Sequence, residues 1–175
     1  ELLERTDLRG IYMSNFFDWD AKNAAEEVMK KWDFKPITYE RQRTFIQYAK
    51  IDDHANDIHD YLKFLKFGYG RATDDASIEI RHGRLSREEG VELVKRYDSK
   101  KPKSLKRYLD FLEISEEYFF KIIDPMRDKD IWKKVEGNWE LMDSISNHIK
   151  TDFTEKARVK QKKDRVFGKK NKQLY

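Results

Sequence analysis

The chain has 175 residues, 40% of them charged and 14% aromatic, with three prolines, no cysteine and a net charge of +4. The absent cysteine excludes disulfide scaffolds, thiol nucleophiles and zinc–thiolate sites. No apolar run approaches the roughly 18 residues of a membrane span, and no secretory segment opens the chain. Four Trp, nine Tyr and eleven Phe supply a real core, so we expect a soluble, cytoplasmic, globular piece of one domain, at most one and a half.

The chain opens at Glu1 without a methionine, which reads as a piece of something longer. Residues 9–17 carry Ile11, Tyr12, Met13, Phe16 and Phe17, a run short enough to predict a buried strand. Asp20 is a good N-cap for the helix that follows. There Ala21, Ala24, Ala25, Val28, Met29 and Trp32 make an apolar stripe, with Pro36 to stop it. A strand followed by an amphipathic helix predicts the edge of an α/β unit over residues 1–40.

Residues 37–51 are ambiguous, and beyond them the pattern is helical. Ile58, Tyr61, Leu62, Leu65 and Tyr69 form one stripe, broken at Gly68 and Gly70. Thr73, with Asp74 and Asp75 behind it, predicts a cap for the next helix, and Gly83 its end. Ser86 with Glu89 is a capping box opening a helix through Val91, Val94 and Tyr97. Leu105, Tyr108, Leu109 and Leu112 repeat helically. Ser115 starts another helix through Phe119, Ile122 and Ile123, closed by Pro125. Trp139, Met142, Ile145 and Ile149 predict a last helix. The fold class expected is mainly α with a small α/β remnant at the N-terminus, and residues 41–155 are its helical region.

Residues 156–175 hold nine Lys/Arg against one acid, a charge of +8 that leaves −4 for residues 1–155. The tail accounts for the basic pI of about 9.0. It reads as a loose, solvated terminus, with an arm for nucleic acid or an anionic surface as the alternative.

Three constellations bear on chemistry. Asp52, Asp53, His54, Asp57, His59 and Asp60 crowd together, but His54 and His59 lie about 140° apart around a helix, so caps and ion pairs are favoured over a metal site. Next, His59, Lys63 and Lys66 share a helix face ahead of Gly68-Tyr69-Gly70 and Arg71. Glycines let a backbone approach a phosphate that Lys and Arg would bind; the plainer reading is a glycine C-cap beside solvated lysines. Last, Glu79 lies between Ile78 and Ile80, amid Arg71, Thr73, Arg81 and Arg84. It reads equally as an ion-pair hub or as a base within a phosphate clamp.

The run HDYLKFLKFGYGRATDDASIEIRHGRLSREEGVELVKRYD, residues 59–98, resembles the bacterial N-acetyl sugar amidotransferases of surface-polysaccharide biosynthesis. YMSNFFDWD at 12–20, TFIQYAKIDDHANDIHDY at 44–61 and the stretch from 102 to about 128 resemble the same family. The resemblance implies the C-terminal part of a PP-loop ATP pyrophosphatase, an adenine nucleotide alpha hydrolase-like α/β enzyme. Such enzymes convert the acetamido group of a nucleotide-activated sugar to an acetamidino group, in lipopolysaccharide O-antigen or nonulosonic acid pathways. ATP with Mg²⁺ activates the amide oxygen as an adenylate, and ammonia from a partner glutaminase displaces AMP.

A second resemblance, to asparagine synthetases, rests on Arg71, Thr73, Glu79 and Arg81 at offsets 0, +2, +8 and +10, with Gly70 where that pattern has an acid. Together these imply Glu79, Arg71 and Arg81 at the reacting centre, with Lys66, Gly68, Tyr69, Gly70, Thr73, Arg84 and His59 facing substrate or nucleotide, and no metal ligands. The SGG-x-DS loop and the zinc-binding cysteines of the family are missing from these residues. The expectation is therefore the second half of such an enzyme, inactive alone. The rivals are a non-catalytic module that binds through its basic tail and a degenerate relative kept for partner docking. Nucleic acid is not favoured, because no helix-turn-helix or RNP-type signature is present.

Overall fold

A computed structural model describes residues 10–149. Among the described residues, the chain divides into two compact units, residues 10–39 with 47–52, and residues 40–46 with 53–149. The basic segment 156–175 lies outside the described residues.

In the first unit, α1 (Ala21–Trp32) starts where Asp20 accepts the Lys22 N–H at 3.0 Å. Lys30 and Lys31 occupy its last turn, where cations suit the helix dipole. It ends on Asp33 in the left-handed conformation, φ 53°, three residues short of Pro36. The strand expected at residues 9–17 does not form. Met13–Asn15 is a 3₁₀ turn whose bonds are local, Asn15 to Tyr12 and Phe16 to Met13, each 3.0 Å. A strand needs a partner edge for its amides. Among the described residues of this unit there is none, so the α/β remnant has no strand and its large side chains stay exposed.

The second unit holds α2 (Asn56–Phe67), α3 (Arg71–Arg81), α4 (Arg87–Tyr97), α5 (Ser104–Phe111) and α6 (Glu116–Ile123). A hairpin of β1 (Trp132–Val135) and β2 (Asn138–Leu141) follows. The molecule is mainly helical, as expected. Two of its caps are those the sequence spells. Ser86 and Glu89 form the reciprocal capping box, and Ser115 accepts from Tyr118 N–H at 3.1 Å. Asp53 Oδ1 takes the Ala55 N–H at 2.8 Å, a turn-forming role at the start of α2.

The helix expected from Trp139 to Ile149 is instead β2 followed by a 3₁₀ turn, Ile145–His148. Glu136 (φ 49°) and Gly137 (φ 87°) make a two-residue turn with both φ positive, the geometry that matches strand twist. Alternation of exposed and half-buried residues along β2 then replaces the helical period.

The core joins Ile58, Tyr61, Phe64 and Leu65 of α2 to Leu105 and Leu109 of α5, Phe119 of α6 and Trp132 of β1. Phe64 and Trp132 meet edge to face at 5.4 Å, which ties the hairpin to α2. Arg127 reinforces this junction, its guanidinium 4.7 Å from the Trp132 ring and 5.2 Å from the Trp139 ring while Nε donates to Asp124. No helix among the described residues is long and apolar enough to cross a membrane.

Candidate functional site

The break between α2 and α3 is set by two glycines with different reasons. Gly68 ends α2 at φ 73°, where its N–H donates to Phe64 O at 2.8 Å. A Cβ there would also come within 2.6 Å of Ile131 and 2.8 Å of Leu141, so the hairpin approaches this backbone closely. Gly70 is extended (φ −117°, ψ −160°), a conformation open to any residue. Its constraint is steric: a Cβ would sit 2.7 Å from Asp98 Oδ1 and 3.0 Å from Arg43 Nη2.

Asp98 organises this corner. Its buried carboxylate accepts from Gly70 N–H at 2.7 Å, Ala72 N–H at 3.0 Å and the Thr73 hydroxyl at 2.6 Å. It therefore caps α3 from another helix, the role the sequence assigned to Thr73. Behind it, Arg43 is wholly buried. It donates from Nη1 to Tyr97 O (2.9 Å) and Lys100 O (2.6 Å), from Nη2 to Asp60 O (3.3 Å), and lies over the Tyr61 and Phe64 rings. Burial pulls its pKa below the usual value, while Asp98 and Asp60 oppose that shift.

Further along α3, Arg71 Nε reaches Asp75 at 2.9 Å, and Asp75 Oδ2 accepts from the Thr44 hydroxyl at 2.5 Å. Burial raises the Asp75 pKa; Thr44 and Arg71 hold it down in part. Lys63 pairs with Asp74 and lies 4.5 Å from the centre of the Tyr69 ring. Glu79 is buried and receives Arg84 through two bonds, Nε to Oε2 at 2.6 Å and Nη2 to Oε1 at 2.7 Å. Arg81, Lys66 and His59 are exposed.

Gly68, Tyr69 and Thr73 open onto one cleft of about 460 Å³. The end of α4 lines it with Lys95, Asp98 and Ser99, and the segment after the hairpin lines it with Asp143, Ser144 and His148. His148 Nε2 meets Asp143 Oδ2 at 2.5 Å; this bond, aided by Asn147, lowers the Asp143 pKa. The other expected site residues lie elsewhere. Arg71 and Glu79 are eight residues apart on α3, about 12 Å along its axis, and each has its own partner.

Sequence reasoning missed Asp98, Arg43, Asp75 with Thr44, and the Asp143–His148 pair. One signal was available: Asp98 is an acid at the C-cap of α4, where the helix dipole disfavours negative charge. A residue kept there against its local environment is used by something distant.

The arrangement does not fit a polyphosphate within the cleft. The first-turn amides of α3, which would cradle a phosphate, are bonded to Asp98, and Asp143 adds a second carboxylate to the lining. Among the described residues no group of three or more His, Asp or Glu side chains converges as a metal site does.

The family model described as "LPS biosynthesis protein WbpG-like, C-terminal domain" matches residues 26–146, more than half of the chain. No curated protein matches it. The chain belongs to this WbpG-like C-terminal domain family of lipopolysaccharide biosynthesis proteins.

Proposed function

We propose that this WbpG-like domain is the substrate-side part of an ATP-dependent amidotransferase that converts the acetamido group of a nucleotide-activated sugar into an acetamidino group. In this reading the amide oxygen attacks the α-phosphorus of ATP, pyrophosphate leaves, ammonia adds to the activated carbon, and AMP departs with the former amide oxygen. ATP, with Mg²⁺, supplies the activation and is held by a nucleotide-binding PP-loop domain outside these residues. A glutaminase partner supplies the ammonia, and the reaction belongs in the cytoplasm, where nucleotide sugars are used. The family match carries the proposal, together with the cleft at Gly68, Tyr69 and Thr73 inside the matched residues.

Within that scheme the chain's own groups bind and orient. Asp98 binds the Gly70 and Ala72 amides, so whatever enters the cleft meets a loop that this carboxylate positions. Glu79, which Arg84 fixes outside the cleft lining, is assigned on the resemblance alone to align ammonia or accept its proton. The exposed cations Lys66 and Arg81, with Arg71, are assigned to charge developing on departing phosphates.

The test uses the full-length protein with ATP, an ammonium salt and UDP-N-acetylglucosamine or UDP-N-acetylgalactosamine. The expected result is AMP formation that depends on the sugar, with an amidine product identified by mass spectrometry. Sugar-dependent ATP cleavage to ADP, or an unaltered acetamido group in every reaction that consumes ATP, overturns it.

A further inference from the structure

We infer that the cleft between the Gly68–Gly70 loop and the segment after the hairpin holds the uncharged ring of an N-acetylhexosamine and excludes the nucleotide's phosphates. The identity of the ring rests on the amidotransferase reading; its placement rests on the chemistry of the walls.

One wall is aromatic. Phe67 and Tyr69 line the cleft with ring centroids 6.2 Å apart, and each is a little under half exposed. Lys63 and Lys66 stand over the Tyr69 and Phe67 rings at 4.5 and 4.9 Å, and the C–H face of a pyranose packs against ring surface that stays exposed beside a cleft. Ile131, Leu141 and Ile145 add aliphatic surface to the lining of the cleft. Its volume of about 460 Å³ lies within the usual range for a small-molecule pocket.

The polar groups of the lining suit hydroxyls. Ser99 and Asp143 are exposed polar groups of the lining, the Asp98 carboxylate is buried and already bonded to Gly70, Ala72 and Thr73, and the lining cation Lys95 is itself paired with Glu92 at 2.7 Å. An exposed carboxylate such as Asp143 accepts hydrogen bonds from sugar hydroxyls, whereas it repels a phosphate placed beside it. His148 is held by Asp143 and is about one-third exposed, placed to meet a ligand's polar substituent at the far end. The amides that would favour an anion at the head of α3 are already occupied by Asp98 at 2.7 and 3.0 Å.

Amide chemical-shift mapping on the ¹⁵N-labelled chain tests this. The probes are UDP-N-acetylglucosamine, UDP-N-acetylgalactosamine, UDP alone and inorganic phosphate. At least one sugar nucleotide should shift the Gly68–Gly70 and Ser144–His148 amides, and UDP and phosphate should leave them unmoved. Tyr69→Ala and His148→Ala, both checked for native circular dichroism, should each weaken sugar binding tenfold or more. The same shifts with UDP or phosphate, or cleft amides unmoved by both sugar nucleotides, overturn the inference. Failure of the parent reading is separately visible. Amidine formation by the full-length protein with KM unchanged in Tyr69→Ala sinks the cleft assignment alone. Sugar binding in the cleft without any amidine product sinks the reaction alone.

Discussion

Asp98 Oδ2 accepts the Gly70 N–H at 2.7 Å, and the same carboxylate leaves no room for a side chain on Gly70. Acid and glycine are 28 residues apart and form one unit: the acid caps α3, and the glycine makes the approach possible. The loop beside the candidate cleft takes its shape from this contact.

Asp98→Ala removes the acceptor for two backbone amides and a hydroxyl in a buried corner, and should cost about 2–4 kcal/mol. Gly70→Ala keeps the acceptor but drives a methyl into it, costing about 1–3 kcal/mol by overpacking. Urea denaturation should show both losses. Because neither local propensity nor φ is at issue at Gly70, the double variant should lose less than the sum of the two.

Arg43→Met exchanges a buried guanidinium for a side chain of similar length and leaves the carbonyls of Tyr97, Lys100 and Asp60 without this donor. The expected loss is about 3–5 kcal/mol, enough to unfold a marginal domain. Arg43→Lys should be milder, since one ammonium satisfies part of the set. Thermal unfolding followed by circular dichroism separates the two; equal melting temperatures in wild type and Arg43→Met would contradict the assignment.

Asp75 gives a pH signature. Burial raises its folded pKa above the ordinary 3.8, so the folded state binds its proton more tightly than the unfolded state does. Its unfavourable contribution therefore grows as pH rises from 3.8 through the raised folded value, and is relieved on acidification through that window. Asp57, also raised by burial, acts in the same sense. Asp75→Asn should flatten this dependence: the stability of wild type relative to the variant should rise as pH is lowered from neutrality toward 3.8. An unchanged difference across that range would show that the buried carboxylate does not titrate there.

In the full-length protein, Glu79→Gln preserves side-chain shape and one acceptor for Arg84 while removing the charge. Under the proposed reaction kcat should fall by a hundredfold or more with helical content retained, and Arg71→Ala should fall similarly. Arg84→Ala supplies the structural comparison, since it disturbs the same pair from the other side. Stability losses of similar size with kcat lowered more by Glu79→Gln than by Arg84→Ala would separate chemistry from packing. Near wild-type turnover in both Glu79→Gln and Arg71→Ala would remove these residues from the reacting centre.

The helices were legible because their signals are local. Asp20, the Ser86–Glu89 box, Ser115, and Gly68 and Gly83 in left-handed turns act within four residues of the ends they set. The family was legible too, from residues 59–98 inside the matched span. Two readings failed where a short apolar pattern fits more than one period. Residues 9–17 lack a partner edge, and the Glu136-Gly137 turn converts an apparent helical stripe into a strand.

The sequence by itself determined where most of the helices begin and end and which lipopolysaccharide-biosynthesis family the chain belongs to. Only the tertiary structure decided that Asp98 caps α3, that Arg43 closes onto Tyr97 from 54 residues away, and that the hairpin turns Gly68 and Tyr69 into the wall of a cleft. The reason is reach. Capping and periodicity are settled within one or two helical turns, whereas a buried charge finds its partner only after packing has brought distant segments together and excluded the water that would otherwise serve it.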